Sequence, residues 1–124
     1  MTLLETLGIE LPIIQAPMAG VSSPAMAAAV SNAGALGSIG VGAVDSEGAR
    51  RMIAAVRERT ARALNVNVFC HQPAKADRTV EAAWLEQLRP HFARFDVKPP
   101  LALEEIYRSF VVDDSMLAAL RSEL

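Results

Sequence analysis

A short apolar segment that runs through a Pro- and Gly-containing loop into an Ala-rich helix constrains the fold more than any other feature. Pro12–Ala16 has the length of a strand buried on both faces of a sheet, and Pro17 and Gly20 end it. Ser23 and Pro24 then supply a helix N-cap and a proline at the first helical position. This arrangement predicts a ligand site at the carboxyl end of the strand, where α/β enzymes place their chemistry.

Alternating strands and helices continue along the first 70 residues. The segments 36–44 and 64–70 predict two further strands, and 46–60 between them predicts a helix. The Ala-rich helix, 24–33, is expected to pack through one stripe of its surface, which comprises Ala25, Met26, Ala29, Val30 and Ala33. The order strand, helix, strand, helix, strand predicts an α/β fold with a parallel sheet.

The pattern changes in the second half of the chain. A helix is predicted over 78–89, with Trp84 among its core positions and Pro90 kinking or ending it, and a terminal helix over 115–124. An eight-stranded parallel barrel takes roughly 200 to 250 residues. The 124 residues therefore predict the N-terminal part of a larger domain, with a doubly wound sheet that closes at this length as the alternative.

Composition and charge indicate a globular chain. Hydrophobic residues make up 52% of the sequence and the formal net charge is −2, so neither nucleic acid nor a membrane surface is an expected partner. Cys70 is the only cysteine, which excludes an intrachain disulfide, and the first residues lack the basic region of a signal peptide. A cytoplasmic location is expected.

Several common cofactor signatures are absent from the sequence. The glycines at 34, 37, 40 and 42 lack the spacing of a dinucleotide-binding turn, and there is no glycine-lysine phosphate loop. Two histidines and one cysteine do not form a spaced zinc motif, so no metal site is expected. The glycines instead predict a surface that admits another backbone or a flat ligand at close range.

Carboxamide side chains on the third predicted strand mark a candidate cofactor site. Asn65 and Asn67 occupy alternate positions of that strand, and we pair them with the loop 15–20 that follows the first strand. An isoalloxazine ring has an apolar face and a pyrimidine edge whose carbonyl and N–H groups match a carboxamide. Backbone groups of Ala16, Pro17 and Met18, the Met18 side chain and the Asn67 amide could meet those needs. The alternative is that neighbouring loops satisfy both amides.

At these residues the sequence resembles the nitronate monooxygenases, formerly called 2-nitropropane dioxygenases, an FMN-dependent family with a (βα)8-barrel fold. The resemblance rests on Pro-Ile-Ile-Gln-Ala-Pro-Met at 12–18, Ser-Asn-Ala-Gly at 31–34, Leu-Gly-Ser at 36–38, Asn-Val-Asn-Val-Phe-Cys-His at 65–71 and Ile-Tyr-x-Ser-Phe at 106–110. It implies the N-terminal part of a (βα)8 TIM barrel with about three to four βα units and an unclosed barrel. Residues 1–124 would then form one partial FMN-binding domain.

The resemblance also implies a chemistry and a set of site residues. Ala16, Pro17 and Met18 would line the flavin, and Asn67 would form a hydrogen bond to it. The implied reaction is the FMN-dependent oxidation of an alkyl nitronate by O2 to a carbonyl compound and nitrite. The alternatives are an FMN-dependent enoyl-acyl carrier protein reductase or another flavin barrel oxidoreductase, and a non-catalytic truncated product.

The family's catalytic histidine and its phosphate-binding glycines belong to downstream segments that these residues do not include. No residue of this chain is therefore expected to be the catalytic base, and the chain alone is expected neither to hold FMN tightly nor to turn over nitronate. His71 is a candidate for contact with substrate or for a structural role in its loop. Cys70 is expected to pack as a small apolar group. A homodimer could cover the open edge of the sheet.

Overall fold

The computed structural model describes residues 1–124, which form two compact units. The first unit comprises Met1–Gln72 and Tyr107–Leu124, and the second comprises Pro73–Ile106. None of the helices combines the length and the apolar character needed to cross a membrane.

Strands and helices alternate through the first unit, as the sequence predicts. In chain order its elements are α1 (Leu3–Leu7), α2 (Pro24–Asn32), β1 (Gly37–Gly40), α3 (Ser46–Arg57), β2 (Leu64–Asn67), a 3-10 helix (Phe110–Val112) and α5 (Asp114–Glu123). β1 and β2 pair in parallel, with Gly37 opposite Leu64 and Gly40 opposite Asn67, and α3 is the crossover helix between them. The prediction of an α/β fold with a parallel sheet is confirmed.

The first predicted strand is reduced to a single parallel bridge between Ile14 and Leu36. The Leu36 carbonyl accepts from the Gln15 amide at 2.9 Å, and the Leu36 amide donates to the Ile13 carbonyl at 2.9 Å. Ile13 and Ile14 are 56% and 57% exposed, so the prediction of a strand buried on both faces is wrong. The segment pairs along one edge only, and no element of the chain covers either isoleucine side chain.

Side-chain caps fix the starts of the helices. The Ser23 hydroxyl and the Asp45 carboxylate cap α2 and α3 by accepting backbone amides at 3.2 and 2.7 Å. Asp113 caps α5 in the same way, with an amide at 3.0 Å. Each bond satisfies an otherwise free donor in the first helical turn and stabilises the chain by about 1 kcal/mol.

Helix α2 approaches β1 so closely that only glycine fits between them. A Cβ atom on Gly37 would lie 1.9 Å from the Ala27 carbonyl oxygen and 2.5 Å from Ser31 Oγ. The Ser31 hydroxyl accepts from the Gly37 amide at 3.1 Å and donates to the Ala63 carbonyl at 2.8 Å, which ties the helix to the sheet. The buried face of α2 is Ala27, Ala28 and Ser31, so the predicted stripe is wrong.

The core of the first unit includes buried residues from β1, α2, α3 and α5. Its members are Ala27, Ala28, Ile39, Val41, Ala49, Ile53, Val56 and Met116. Ile39, Ile53 and Val56 are fully buried, and burial of a side chain of that size contributes about 1.5 to 3 kcal/mol. The core therefore holds the helices against the sheet and leaves the carboxyl ends of the strands free for loops.

The second unit is built on helix α4 (Arg78–Ala93). The Asp77 carboxylate caps this helix by accepting two amides of the first turn at 2.9 and 3.1 Å. Pro90 lies inside the helix, which continues past the point where the sequence predicts a kink or an end. Leu85 is buried, whereas Trp84 is 54% exposed, so the prediction that Trp84 is a core residue is wrong.

Candidate functional site

The carboxyl ends of the strands bring the predicted site residues to one edge of the sheet. Gly40 ends β1 opposite Asn67, which ends β2, and the Val41 amide donates to the Asn67 carbonyl at 3.0 Å. Gly40 also contacts the loop after the first bridge, because a Cβ atom on it would lie 2.9 Å from the Pro17 carbonyl oxygen. Gly40 thus connects the loop that contains Pro17 with the strand end that contains Asn67.

A buried serine holds the loop after the first bridge closed. The Ser22 hydroxyl donates to the Ala16 carbonyl at 2.8 Å and accepts from the Met18 amide at 2.9 Å. Gly20 adopts a φ of +73°, a backbone conformation that favours glycine. The Ala16 carbonyl and the Met18 amide thus have partners within the chain, whereas the Met18 side chain is 46% exposed. The loop therefore offers a ligand apolar side-chain surface, because the Met18 backbone N–H already donates within the loop.

The two asparagines of β2 have different surroundings. The Asn65 carboxamide donates to the Ser38 hydroxyl at 3.2 Å. The Asn67 carboxamide makes no hydrogen bond to the chain, and Asn67 lines an open cavity. A free carboxamide offers both donors and an acceptor to a ligand. Asn65 is thus held by Ser38, whereas the whole Asn67 carboxamide remains available for binding.

The chain itself occupies the space beside the glycines of the site. The loop backbone lies against Gly40, and a Cβ atom on Gly42 would lie 2.5 Å from the Phe69 ring. The sequence predicts close approach by a backbone or by a flat ligand. At Gly40 the structure shows a backbone, and at Gly42 it shows an aromatic side chain.

An open cavity of about 710 Å³ lies at the end of β2. Its lining residues are Asn67, Val68, Phe69, Cys70, His71 and Tyr107. The rings of Phe69 and Tyr107 meet edge to face, with centroids 5.3 Å apart and an angle of 88° between their planes. The sequence did not assign Tyr107 to the site, because Tyr107 lies far from β2 along the chain; its place in the Ile-Tyr-x-Ser-Phe segment at 106–110 is the signal that could have indicated it.

Two hydrogen bonds fasten the segment after Tyr107 to the end of β2. The Phe110 amide donates to the Phe69 carbonyl at 2.8 Å, and the fully buried Ser109 hydroxyl donates to the His71 carbonyl at 2.5 Å. His71 is exposed at the cavity, where it could meet a ligand. Cys70 is exposed as well, so the prediction that it packs as a small apolar group is wrong.

No Asp, Glu, Lys or Arg side chain lines the cavity. No group of three or more His, Cys, Asp or Glu side chains that could hold a metal ion occurs in the chain. Carboxyl groups with shifted pKa values lie in other elements: hydrogen bonding to Arg89 lowers the pKa of Glu86 in α4, and hydrogen bonding from Ser115 lowers the pKa of Asp113 at the α5 cap. The site can therefore orient a ligand by apolar contact and neutral hydrogen bonds.

The chain is similar to nitronate monooxygenases along most of its length. The sequence model of the family described as nitronate monooxygenase matches residues 1–99. A nitronate monooxygenase from Paraburkholderia phytofirmans is 56% identical over 98% of this chain and 33% of its own length. Another from Pseudomonas aeruginosa is 53% identical over 94% of this chain and 33% of its own length. The chain thus spans about a third of the length of the curated relatives it matches.

Among solved structures, a nitroalkane oxidase from Streptomyces ansochromogenes matches with a TM-score of 0.78 and 34% sequence identity. The match covers 97% of this chain and 33% of that protein. It confirms the predicted fold class, part of a (βα)8 TIM barrel with an open sheet.

Proposed function

The chain belongs to the nitronate monooxygenase family, and we propose that it supplies the flavin-ring side of an FMN-dependent enzyme that oxidises alkyl nitronates. The proposed substrates are the nitronate and O2, and the proposed products are a carbonyl compound and nitrite. Bound FMN would supply the redox chemistry, whereas the polypeptide binds and orients the reactants. No catalytic base is assigned to residues 1–124.

One observation carries this proposal: the Asn67 carboxamide has no partner in the chain and lies at the strand end next to Gly40, which the Pro17 carbonyl contacts. A flavin ring presents an apolar face and a hydrogen-bonding pyrimidine edge. The exposed Met18 thioether suits the face, and the free carboxamide suits the edge. The residues present therefore fit the ring system of FMN.

We assign the contacts as follows. Ala16, Pro17 and Met18 contact the ring face, and this contact is apolar because the Ala16 carbonyl and the Met18 amide already have partners. Asn67 forms a hydrogen bond to the ring edge. His71 is exposed at the cavity that Asn67 lines, and we assign it to the substrate side of the ring.

Titration of the chain with FMN, followed by the quenching of flavin fluorescence, tests the role of Asn67. Loss of one neutral hydrogen bond, about 1 kcal/mol, predicts that Asn67→Ala lowers FMN affinity about fivefold. Gln87→Ala is the matched control, because it removes an exposed carboxamide from α4 and should leave the affinity unchanged. Wild-type affinity in Asn67→Ala would contradict the proposed hydrogen bond.

A further inference from the structure

Polar side chains from three successive strand segments meet at Ser38, a fully buried residue of β1. The Gln15 carboxamide donates to the Ser38 carbonyl at 3.1 Å and accepts from the Ser38 amide at 3.2 Å. The Asn65 carboxamide donates to the Ser38 hydroxyl at 3.2 Å. Gln15 and Asn65 are thus bonded to the same residue from the first and third strand segments, and we call these three residues the Ser38 cluster.

The Gln15 side chain extends the pairing of the first strand segment. Backbone pairing of that segment is limited to the bridge between Ile14 and Leu36. A carboxamide has the donor and acceptor groups of a peptide unit, so Gln15 makes with Ser38 the pair of bonds that a longer strand would make with its backbone. Loss of this side chain would leave the start of the loop held by the bridge and by the packing of Pro17 against Gly40.

We propose that Gln15 and Asn65 are positioning residues for the flavin site and that they act through Ser38. Gln15 directly precedes Ala16–Met18, and Asn65 lies two positions before Asn67 on the same face of β2. The Ser38 cluster therefore fixes the loop that contacts the ring face relative to the strand end that contacts the ring edge. This inference rests on the proposed function, because it assumes that both elements contact one ring.

A second polar cluster, at the amino end of β2, provides a matched control. The Asn32 carboxamide accepts from the Thr60 hydroxyl at 2.6 Å and donates to the Arg59 carbonyl at 3.2 Å. Asn32 ends α2, so these bonds join α2 to the segment before β2. Asn32→Ala breaks two hydrogen bonds, as loss of the Gln15 carboxamide does, but it touches neither the loop after Gln15 nor β2 itself.

The test compares three variants of the 124-residue chain by NMR before any flavin is added. Gln15→Met should shift the Asn67 side-chain amide signal, and Asn65→Ala should shift the Met18 backbone amide signal, although each change lies on a different strand segment from its reporter. Asn32→Ala should leave both signals at their wild-type positions. When FMN is then added, Gln15→Met should bind it about fivefold more weakly than Asn32→Ala does, as expected for one hydrogen bond lost at the site.

Unshifted Asn67 and Met18 signals in the two cluster variants would overturn the inference, whatever the flavin result. If Asn32→Ala lost as much FMN affinity as Gln15→Met, the inference would also be overturned, because the loss would then reflect lower stability of the whole chain and not the position of the site. A wild-type chain that does not respond to FMN would contradict the proposed function, while the signals recorded without flavin still decide the positioning role. If Gln15→Met does not fold, Asn65→Ala, which removes one bond only, decides it.

Discussion

The contact between α2 and β1 predicts that Gly37→Ala is strongly destabilising. The new Cβ atom would lie 1.9 Å from the Ala27 carbonyl oxygen and 2.5 Å from Ser31 Oγ, whereas ordinary contact begins at 3.4 Å. The difference between 3.4 and 1.9 Å requires a relative movement of about 1.5 Å between helix and strand. The movement cannot be avoided by a rotamer change, because the nearer oxygen belongs to the backbone.

Two costs follow from that movement. Overpacking of a close-packed core costs about 1 to 3 kcal/mol. The movement also stretches the hydrogen bonds that join Ser31 to the Gly37 amide and to the Ala63 carbonyl, which are worth about 1 kcal/mol each. We therefore expect Gly37→Ala to lower the free energy of unfolding by about 3 to 5 kcal/mol, a large part of the stability of a small domain.

Urea unfolding followed by circular dichroism measures this loss. A lower urea midpoint with an unchanged slope of the transition reports a lower free energy of unfolding. Gly20→Ala is the control for backbone strain without overpacking, because Gly20 has a positive φ of +73° and no atom beyond its chain neighbours lies within 4 Å of its Cβ position. Backbone strain alone should cost Gly20→Ala about 1 to 2 kcal/mol. A Gly37→Ala chain at least as stable as Gly20→Ala would refute the close approach of α2 to β1.

Three further predictions concern other parts of the chain. Hydrogen bonding, led by that from the Ser115 hydroxyl, lowers the pKa of Asp113 from its ordinary 3.8. The ionised Asp113 carboxylate therefore stabilises the fold fully above pH 3.8, and this stabilisation is lost as the pH falls through the lower pKa of the folded state. Asp113→Asn keeps a cap acceptor, so its urea midpoint should fall less on acidification than that of the wild-type chain. Gly40→Ala places a Cβ atom 2.9 Å from the Pro17 carbonyl oxygen and should weaken FMN binding severalfold in a fluorescence titration; unchanged binding would argue against contact between the loop and the ring. Trp84 is 54% exposed, so iodide should quench its fluorescence in the folded chain, and protection from iodide would contradict the structure.

Local sequence signals predicted the alternation of helices and strands from α2 to β2 and the starts of those helices, but not α1. Ser23 and Asp45 are recognisable as caps because a capping bond forms within one helical turn. The buried face of α2 could not be predicted in the same way, since a helix that is nearly all alanine has no distinct apolar stripe. That face is set by Gly37 on a different element, where only the absence of a side chain permits the helix backbone to approach.

Burial and hydrogen-bond partners depend on elements that no local pattern specifies. Ile13 and Ile14 have the composition of a buried strand, but both are exposed because nothing in the chain covers them. Asn65 and Asn67 have the same residue type and the same strand face, so a local pattern does not specify which carboxamide has a partner in the chain. The structure distinguishes them, because the Ser38 hydroxyl accepts from one carboxamide and leaves the other free.

Whether residues 1–124 bind a flavin through its ring is tested most directly by comparing FMN with riboflavin, which lacks only the phosphate. Both flavins are titrated into the wild-type chain at the same ionic strength, and binding is followed by flavin fluorescence. We expect dissociation constants equal within about twofold, because the proposed contacts of Met18 and Asn67 are all to the ring. Binding of neither flavin, or binding of FMN about tenfold or more tightly than riboflavin, would contradict a site that holds the ring alone.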